Sequence, residues 1–273
     1  MGSSNQSSQS SQLSGQIVLV TRPQNQHEAI CTAINEHGGK AIHFPLFAIE
    51  PIDEAGLIQQ IKTKIENLDN YQLVIFVSTN AVKFGTQWIN DYWPQFPLGV
   101  AILAIGPSTA KNASLELNCK VIHSDAGASS EDILSLDELM QVDGKKVALV
   151  RGVGGRELLA DSLRQRGAEV DYIEVYRRTP MSHSSDDLDN VLAEEKITTL
   201  TVTSGESLER LGQLLKGVGK DALPMNSLPL SLPLIVPSNR VAQQAEQLGF
   251  CKVILASGAG VEATINALQE LAN

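Results

Sequence analysis

Six short turns carry the residue types that could do chemistry in this sequence. Each follows a short apolar run and is rich in Ser, Thr, Asn, Gly or Arg, and together they contain four arginines. Residues of this kind cap helices, and the backbone N–H groups and guanidinium groups attract negative charge. The turns are Thr21-Arg22-Pro23, Ser78-Thr79-Asn80, Gly106-Pro107-Ser108-Thr109, Arg151-Gly152-Val153-Gly154-Gly155-Arg156, Thr203-Ser204-Gly205 and Pro237-Ser238-Asn239-Arg240. They predict recognition of an anion.

Helix capping alone would account for any one of these turns, because Ser, Thr and Asn are common first residues of helices. Six such turns with four arginines favour a ligand. The glycines at positions 152, 154 and 155 do not form a nucleotide-binding loop, since neither the Gly-x-Gly-x-x-Gly spacing nor a Lys-Ser/Thr pair is present. A nucleotide is therefore not the anion that the turns predict.

Other chemistries find no support in the residue spacing. The histidines lack the spacing of metal ligands, so we expect surface or packing roles for His27, His37, His43, His123 and His183. No Gly-x-Ser-x-Gly sequence surrounds a serine, which argues against the nucleophile of an α/β-hydrolase. The sequence therefore predicts neither a metal site nor a serine nucleophile of that type.

Composition narrows the class of protein further. A formal net charge of −10 and an aromatic content of 4% argue against nucleic-acid binding. The three cysteines lie far apart in the chain and predict no disulfide framework, which favours a reducing cytoplasm. Apolar runs are too short to span a membrane, and residues 1–15, rich in Ser and Gln, are expected to form a disordered tail rather than a signal peptide.

The strands and helices that position these turns form an internal repeat in the sequence. Three segments of the first half recur in the second half, each with apolar runs, polar turns and helical stretches. The pairs are residues 17–47 with 147–176, residues 73–80 with 200–205, and residues 101–127 with 234–260. Short strands that alternate with helices build parallel sheets covered by helices on both faces. The repeat therefore predicts two similar doubly wound α/β domains.

The repeat leaves two ways of joining the domains. A tandem arrangement would divide the chain near Asp143. An exchange of the first strand-helix module would instead make the chain cross twice, near residues 45–51 and 173–178. The periodicity alone favours neither arrangement.

Tyr176 is the candidate acid in this sequence because it lies at the second of these crossings. A phenol is protonated at neutral pH and can donate a proton. A tyrosine in a linker can also simply pack against a hinge. Tyr172, four residues earlier, is expected on the same face of a regular strand, but it lies deeper in the strand and is the weaker candidate.

Several segments, in their order and spacing, resemble the uroporphyrinogen-III synthase family from about Gln16 onward. The matching segments are Val18-Leu-Val-Thr-Arg-Pro23, Val74-Ile-Phe-Val-Ser-Thr-Asn-Ala81, Ala104-Ile-Gly-Pro-Ser-Thr-Ala110, Ser129-Ser-Glu-Asp-Ile-Leu134, Arg151-Gly-Val-Gly-Gly-Arg-Glu157, Val175-Tyr-Arg177 and Ser238-Asn-Arg-Val-Ala242. The resemblance implies module exchange. Residues 16–48 and 176–273 are expected to form one domain, residues 49–175 the other, with a two-stranded linker and an active-site cleft between them.

The resemblance also implies an activity. The substrate would be hydroxymethylbilane, a linear tetrapyrrole with eight carboxylates, which a lyase closes to uroporphyrinogen III with inversion of the terminal ring and loss of water. No cofactor is implied, and a cytoplasmic monomer in transient contact with the preceding enzyme is expected. Tyr176 is expected to be catalytic. The expected substrate-binding residues are Arg22, Ser78, Thr79, Asn80, Gly106, Ser108, Thr109, Arg151, Gly154, Gly155, Arg156, Ser204, Ser238 and Arg240.

Two rival functions use the same kind of fold. One is a sensor that closes on a small anion, but the sequence shows neither a secretion signal nor a DNA-binding domain. The other is a nucleotide-sugar transferase, which should show an acidic metal motif or a nucleotide loop. The motifs at the strand ends favour the synthase over both.

Overall fold

The computed structural model describes residues 12–125, 127, 129–155, 157–216 and 228–272. The chain divides into two compact units. Unit 1 consists of Met1–Ala48 and Thr179–Asn273, and unit 2 of Ile49–Arg178. Strands and helices are numbered below in chain order.

Unit 1 is built around a five-stranded sheet. Its strands are β1 (Ile17–Val20), β2 (Lys40–His43), β9 (Thr199–Thr201), β10 (Leu234–Val236) and β11 (Val253–Leu255). Its helices are α1 (Glu28–Glu36), α8 (Ser185–Glu194), α9 (Gly205–Lys216), α10 (Leu228–Ser231), α11 (Asn239–Gln247) and α12 (Val261–Ala272). The strand order is β11-β10-β9-β1-β2, and the neighbouring strands are parallel.

Unit 2 contains a six-stranded sheet. Its strands are β3 (Phe47–Pro51), β4 (Leu73–Phe76), β5 (Ala101–Ala104), β6 (Val121–Ile122), β7 (Lys146–Gly152) and β8 (Glu169–Pro180). Its helices are α2 (Ala55–Glu66), α3 (Thr79–Tyr92), α4 (Pro107–Leu117), α5 (Ser130–Leu134), α6 (Asp137–Met140) and α7 (Leu158–Gln165). The strand order is β3-β8-β7-β4-β5-β6, and β8, β7, β4, β5 and β6 pair in parallel.

The pairing of the strands shows the module exchange directly. Strand β1 pairs with β9, whereas its repeat equivalent β7 pairs with β4. If each repeat folded in tandem, β1 would instead lie beside β4. With β3 set aside, the order β8-β7-β4-β5-β6 in unit 2 corresponds to β2-β1-β9-β10-β11 in unit 1. The two sheets therefore share one topology, and each draws strands from both halves of the chain.

Alternating residues of the central strands explain why the sheets are covered on both faces. In β4, Val74 and Phe76 belong to one apolar cluster of unit 2, and Leu73 and Ile75 belong to another. Side chains of a strand point to opposite faces in turn, so an unbroken apolar run indicates burial on both sides. All four of these side chains are at most 4% exposed.

The structure differs from the expected bounds in two places. The chain passes into unit 2 after Ala48 and returns to unit 1 after Arg178, whereas the expected return was after Val175. Strand β8 continues through this point, and Tyr176 pairs with Gly152 of β7, so Tyr176 belongs to unit 2. At the N-terminus, Leu13 is fully buried and its N–H donates to His37 O at 2.9 Å. Leu13 therefore packs into an apolar cluster of unit 1, although it lies within the segment that was expected to be disordered.

Candidate functional site

The carboxyl ends of the parallel strands in unit 2 bring together the residues of the predicted turns. Strand β4 is followed by Ser78, which caps α3 because its Oγ accepts from the N–H of Ala81 at 3.1 Å. Strand β5 is followed by Gly106, whose positive φ of 81° leads into α4. Carboxyl ends of parallel strands are the usual position of ligand sites in open α/β sheets. This edge is therefore the candidate site of unit 2.

Tyr176 reaches this edge from β8. Its hydroxyl lies 3.2 Å from Ser78 Oγ, and its side chain is only 4% exposed. The ring packs against Phe84, with ring centroids 5.8 Å apart. On the other side it lies so close to Gly152 that a Cβ there would be 2.5 Å from Tyr176 Cε2. The phenol is thus held between α3 and β7 with its oxygen beside a helix-capping serine.

Tyr172 occupies a different environment, and the expectation that it shares a face with Tyr176 is wrong. A β-bulge shifts the register of β7 against β8 at Arg151/Gly152. Tyr176 consequently belongs to the apolar cluster of Ile173 and Val175, whereas Tyr172 packs against the cluster on the opposite face. An irregular strand breaks the alternation on which the expectation rested.

The hydroxyl of Tyr172 takes part in a charged network. It donates to Glu157 Oε2 and accepts from Arg164 Nη1 at 3.2 Å. Burial, followed by the hydrogen bond to Glu157, raises the pKa of Tyr172. The same hydrogen bond is the main reason why the pKa of Glu157 is lowered.

Arg151 is buried, and its guanidinium is occupied by groups of its own loop. Its side chain is 3% exposed, and its guanidinium donates to Gly152 O at 3.2 Å, to Gly155 O and to Glu157 Oε1 at 3.2 Å. It also lies over the ring of Tyr172, 4.5 Å from the centroid. These are the contacts of a residue that holds its own loop, so direct binding by Arg151 remains only a sequence-based prediction.

The other expected ligands of unit 2 differ in exposure. Ser108, Gly154 and Gly155 are exposed, Thr79 is half-buried, and Gly106, Asn80 and Thr109 are buried. The positive φ of Gly154, 71°, is a conformation that favours glycine. Arg156 lies outside the described residues.

Unit 1 presents an edge of the same design. Ser204 Oγ accepts from the N–H of Ser207 at 3.1 Å at the start of α9, and Ser238 Oγ accepts from the N–H of Val241 at 3.5 Å at the start of α11. Arg240 is exposed beside this second cap. Its guanidinium lies near Gly205, where a Cβ would be 3.5 Å from Arg240 Nη1. One arginine, Arg240, and two capping serines, Ser204 and Ser238, thus follow the carboxyl ends of β9 and β10.

Arg22, an expected ligand, lies at the ends of β1 and β2 in a cluster with His27 and His43, two residues that the sequence analysis did not place at the site. Arg22 Nη2 donates to Ala259 O, and Arg22 O accepts from His43 Nε2 at 2.7 Å. The rings of His27 and His43 are stacked, with centroids 3.8 Å apart and an interplanar angle of 10°. Burial lowers the pKa of both Arg22 and His43. The only signal in the sequence is the position of His27 and His43 just after the predicted turn and strand.

The described residues contain no group of three or more His, Cys, Asp or Glu side chains that could hold a metal ion. Cys31, Cys119 and Cys251 are free thiols. Within the described ranges, no helix has the length and apolar character needed to cross a bilayer.

Comparison with known proteins gives a consistent result. The family model described as "Uroporphyrinogen-III synthase HemD" matches residues 28–266. The uroporphyrinogen-III synthase of Escherichia coli (strain K12) is 31% identical over 255 residues, which cover 92% of this chain and 99% of that protein. The Proteus mirabilis uroporphyrinogen-III synthase is 32% identical over 198 residues, covering 72% of this chain and 96% of that protein.

Solved structures share the fold at lower sequence identity. The uroporphyrinogen-III synthetase of Helicobacter pylori 26695 matches with a TM-score of 0.59 and 15% identity, covering 94% of this chain and 99% of that one. A mutant uroporphyrinogen III synthase from the extremely thermophilic bacterium Thermus thermophilus matches with a TM-score of 0.58 and 17% identity, covering 93% and 99%. At these sequence identities, the matches show that the fold is shared.

Proposed function

The chain belongs to the uroporphyrinogen-III synthase family, and on that premise we propose that it closes hydroxymethylbilane to uroporphyrinogen III. The protein is an enzyme of tetrapyrrole biosynthesis. In the proposed reaction the terminal hydroxyl leaves as water, the ring closes, and the terminal pyrrole is inverted through a spiro intermediate. The reaction class is that of a cyclising lyase.

The chemistry of the edges suits a substrate with many carboxylates. In unit 2 the proposed ligands are Ser78, Thr79, Asn80, Gly106, Ser108, Thr109, Gly154, Gly155 and Arg156. In unit 1 they are Arg22, Ser204, Ser238 and Arg240. Helix N-termini with capping hydroxyls and arginines supply N–H and O–H donors, which carboxylates accept. Because many donors share the binding, we expect the loss of any one of them to have a modest effect.

Tyr176 is proposed as the acid. The observation that carries this role is the position of its hydroxyl, 3.2 Å from Ser78 Oγ at the carboxyl edge of the sheet. The phenol O–H would give its proton to the hydroxyl of the substrate as the C–O bond breaks, and the adjacent pyrrole nitrogen would supply the electron pair that stabilises the carbon. Ser78 Oγ can then donate a hydrogen bond to the phenolate oxygen. A proton lost on ring closure restores the phenol, so the net reaction releases only water.

Orientation is the second task of the site. A linear tetrapyrrole can also close without inversion, giving the type I isomer. The protein must hold the chain so that the carbon of the terminal ring that bears the substituent reacts first, and holding reacting atoms in place lowers the barrier by several kcal/mol, on the order of 7–11 in favourable cases. Rigidly placed donors on strand ends and helix caps are suited to this task.

The location, the cofactor requirement and the oligomeric state complete the proposal. Three free thiols support a cytoplasmic location, because free cysteines persist in a reducing compartment. The proposed reaction is an elimination and rearrangement and needs no redox step, so no cofactor is proposed. We propose a monomer that receives its unstable substrate through a transient contact with the preceding enzyme.

An isomer assay tests the proposed function. Hydroxymethylbilane is generated in place by the enzyme that makes it, the protein is added, and the oxidised products are separated into type I and type III uroporphyrin. We expect type III to dominate in proportion to added protein. Type I at the level found without protein, from a sample shown by circular dichroism to be folded, would overturn the proposal and favour the anion-binding sensor.

A further inference from the structure

The Tyr176 ring packs against Gly152, the last residue of β7, from which a turn continues to Gly155. Gly152 lies opposite Tyr176 in the register of β7 and β8, and the N–H of Val153 donates to Tyr176 O at 2.9 Å. The ring rests on Gly152 with no space for a Cβ. A displacement of Gly152 or Val153 would therefore change the position of Tyr176 relative to Ser78.

Arg151 fixes this turn from inside the protein. Its Nε donates to Gly152 O at 3.2 Å and its Nη2 donates to Gly155 O, so one guanidinium binds both ends of the turn. The carboxylates of Glu157 and Glu174 lie 3.2 and 3.8 Å from the guanidinium and form ion pairs with it. A buried arginine whose charge is already paired is poorly placed to bind a carboxylate of a substrate.

We propose that Arg151 is a positioning residue that holds the Tyr176 phenol in place through the turn of residues 152–155. This proposal rests on the proposed function, in which Tyr176 is the acid. The positioning role takes the place of the role of substrate ligand that was expected for Arg151. Arginine suits this role because its planar guanidinium presents several N–H donors in a fixed arrangement, which a lysine ammonium cannot match. Its stacking over Tyr172 adds a second constraint on the guanidinium.

Kinetics of Arg151→Lys and Arg151→Met provide the first test. A displacement of about 1 Å at a reacting group can cost about 100-fold in rate, so we expect kcat to fall about 10- to 100-fold while KM stays within about twofold. In a Tyr176→Phe background, Arg151→Met should cause little further loss, because the group that it positions is absent. A rise in KM with kcat unchanged would show that Arg151 binds substrate and would overturn the proposal.

Arg164→Met is the matched control. Arg164 also lies over the Tyr172 ring, 5.1 Å from the centroid, but its hydrogen bonds go to Tyr172 and to Val170 O rather than to the turn. We expect its kcat to be close to that of the wild type. An equal loss of kcat in Arg164→Met and Arg151→Met would attribute the effect to the Tyr172 network and contradict the positioning role.

A spectroscopic readout separates this inference from the acid role of Tyr176. The protein contains four tyrosines, so ring-labelled tyrosine gives a simple NMR spectrum in which Tyr176→Phe identifies the Tyr176 signal. Arg151→Met should shift the signals of Tyr172 and Tyr176, whereas Arg164→Met should shift only that of Tyr172. If Tyr176→Phe keeps full activity, the acid role fails, but the shift of the Tyr176 signal still tests the positioning.

Glu157→Gln keeps the inference testable if Arg151 variants do not fold. Glu157 is exposed and pairs with Arg151 Nη1, so the change loosens the guanidinium without opening a cavity. We expect a shift of the Tyr176 signal in the same direction as in Arg151→Lys, but smaller. An unchanged Tyr176 signal in Glu157→Gln and in every folded Arg151 variant would overturn the proposal.

Discussion

The two units place a serine in equivalent positions and surround it with different chemistry. Ser78 in unit 2 and Ser204 in unit 1 each accept a backbone N–H from three residues further on, both at 3.1 Å. Ser78 Oγ additionally lies 3.2 Å from the hydroxyl of Tyr176, whereas Ser204 Oγ lies 3.0 Å from Ser207 Oγ. Both units thus have a serine that caps a helix. Only Ser78 has a phenol next to it, because its neighbour is Tyr176, whereas the neighbour of Ser204 is Ser207.

The arginines at the carboxyl ends of the equivalent strands β7 and β1 differ in the same way. Arg151 is enclosed by its own turn, whereas Arg22 is half-buried and reaches across to Ala259 O. The titratable partners also differ, since Arg22 O accepts from His43, whose pKa is lowered by burial. The Nε2–H of His43 already donates to this carbonyl, so it is not available to protonate a substrate. We therefore infer that unit 2 supplies the proton and unit 1 mainly binds carboxylates.

Tyr176→Phe should have the largest effect on activity, because it removes the proton donor that we assign to unit 2. Loss of the proton donor should lower kcat at least about 100-fold, the usual lower bound for a general acid, with KM little changed. Tyr172→Phe is the matched control and should remain within a few fold of wild type, because Tyr172 packs on the other face of the sheet. Steady-state kinetics check both variants. Equal kcat values for Tyr176→Phe and the wild type would remove the acid role.

Gly152→Ala should displace the phenol without removing it. A Cβ at this position would lie 2.5 Å from Tyr176 Cε2, so the ring or the strand must move. We expect kcat to fall about tenfold and the free energy of unfolding to fall by about 1–3 kcal/mol.

Gly56→Ala serves as the control for this substitution. Gly56 lies in α2 of the same unit, where a Cβ would meet nothing within 4 Å. We expect unchanged kinetics and equal or slightly higher stability, measured by denaturant unfolding. A Gly152→Ala variant that behaves like Gly56→Ala would show that the contact between Gly152 and the ring does not fix the phenol.

Arg240→Ala and Ser238→Ala should affect binding through unit 1. Each removes one donor among several, so we expect KM to rise about fivefold, equivalent to about 1 kcal/mol, while kcat changes less than twofold. The effect of Arg240→Ala should shrink at high salt because the side chain is exposed. A large fall in kcat for either variant would place proton chemistry in unit 1 as well.

The smallest effect concerns the pH dependence of stability in unit 1. Burial lowers the pKa of His43 in the folded protein below its value of about 6.5 in the unfolded chain. The unfolded chain therefore binds more protons as pH falls from about 6.5 towards the folded pKa, and stability is lost in that window. His43→Gln should flatten this decline in unfolding experiments between pH 7 and about 5. An unchanged slope would show that His43 is not its source.

Much of the fold followed from the sequence because it rests on periodic patterns. The repeated strand-helix alternation predicted two doubly wound domains whose parallel sheets are covered by helices on both faces. The capping role of Ser78 and Ser238 followed from residue type. The resemblance to the family indicated the module exchange, which periodicity alone left open.

What could not be predicted depends on single contacts. The bulge between β7 and β8 sets Tyr172 and Tyr176 on opposite faces, and Gly152 is the one residue type in this stretch that is associated with bulges. The stacking of His27 on His43 joins residues from different elements. The burial of the Arg151 side chain depends on its ion pairs with Glu157 and Glu174, because burying an unpaired guanidinium charge would cost free energy.

The most direct test of the division between the units is a single-turnover experiment. The rate of cyclisation is followed at increasing protein concentration for Tyr176→Phe and for Arg240→Ala, giving a maximal rate and a half-saturating concentration for each. We predict that Tyr176→Phe lowers the maximal rate and leaves the half-saturating concentration near that of the wild type, and that Arg240→Ala does the reverse. A half-saturating concentration raised by Tyr176→Phe with an unchanged maximal rate would contradict the account.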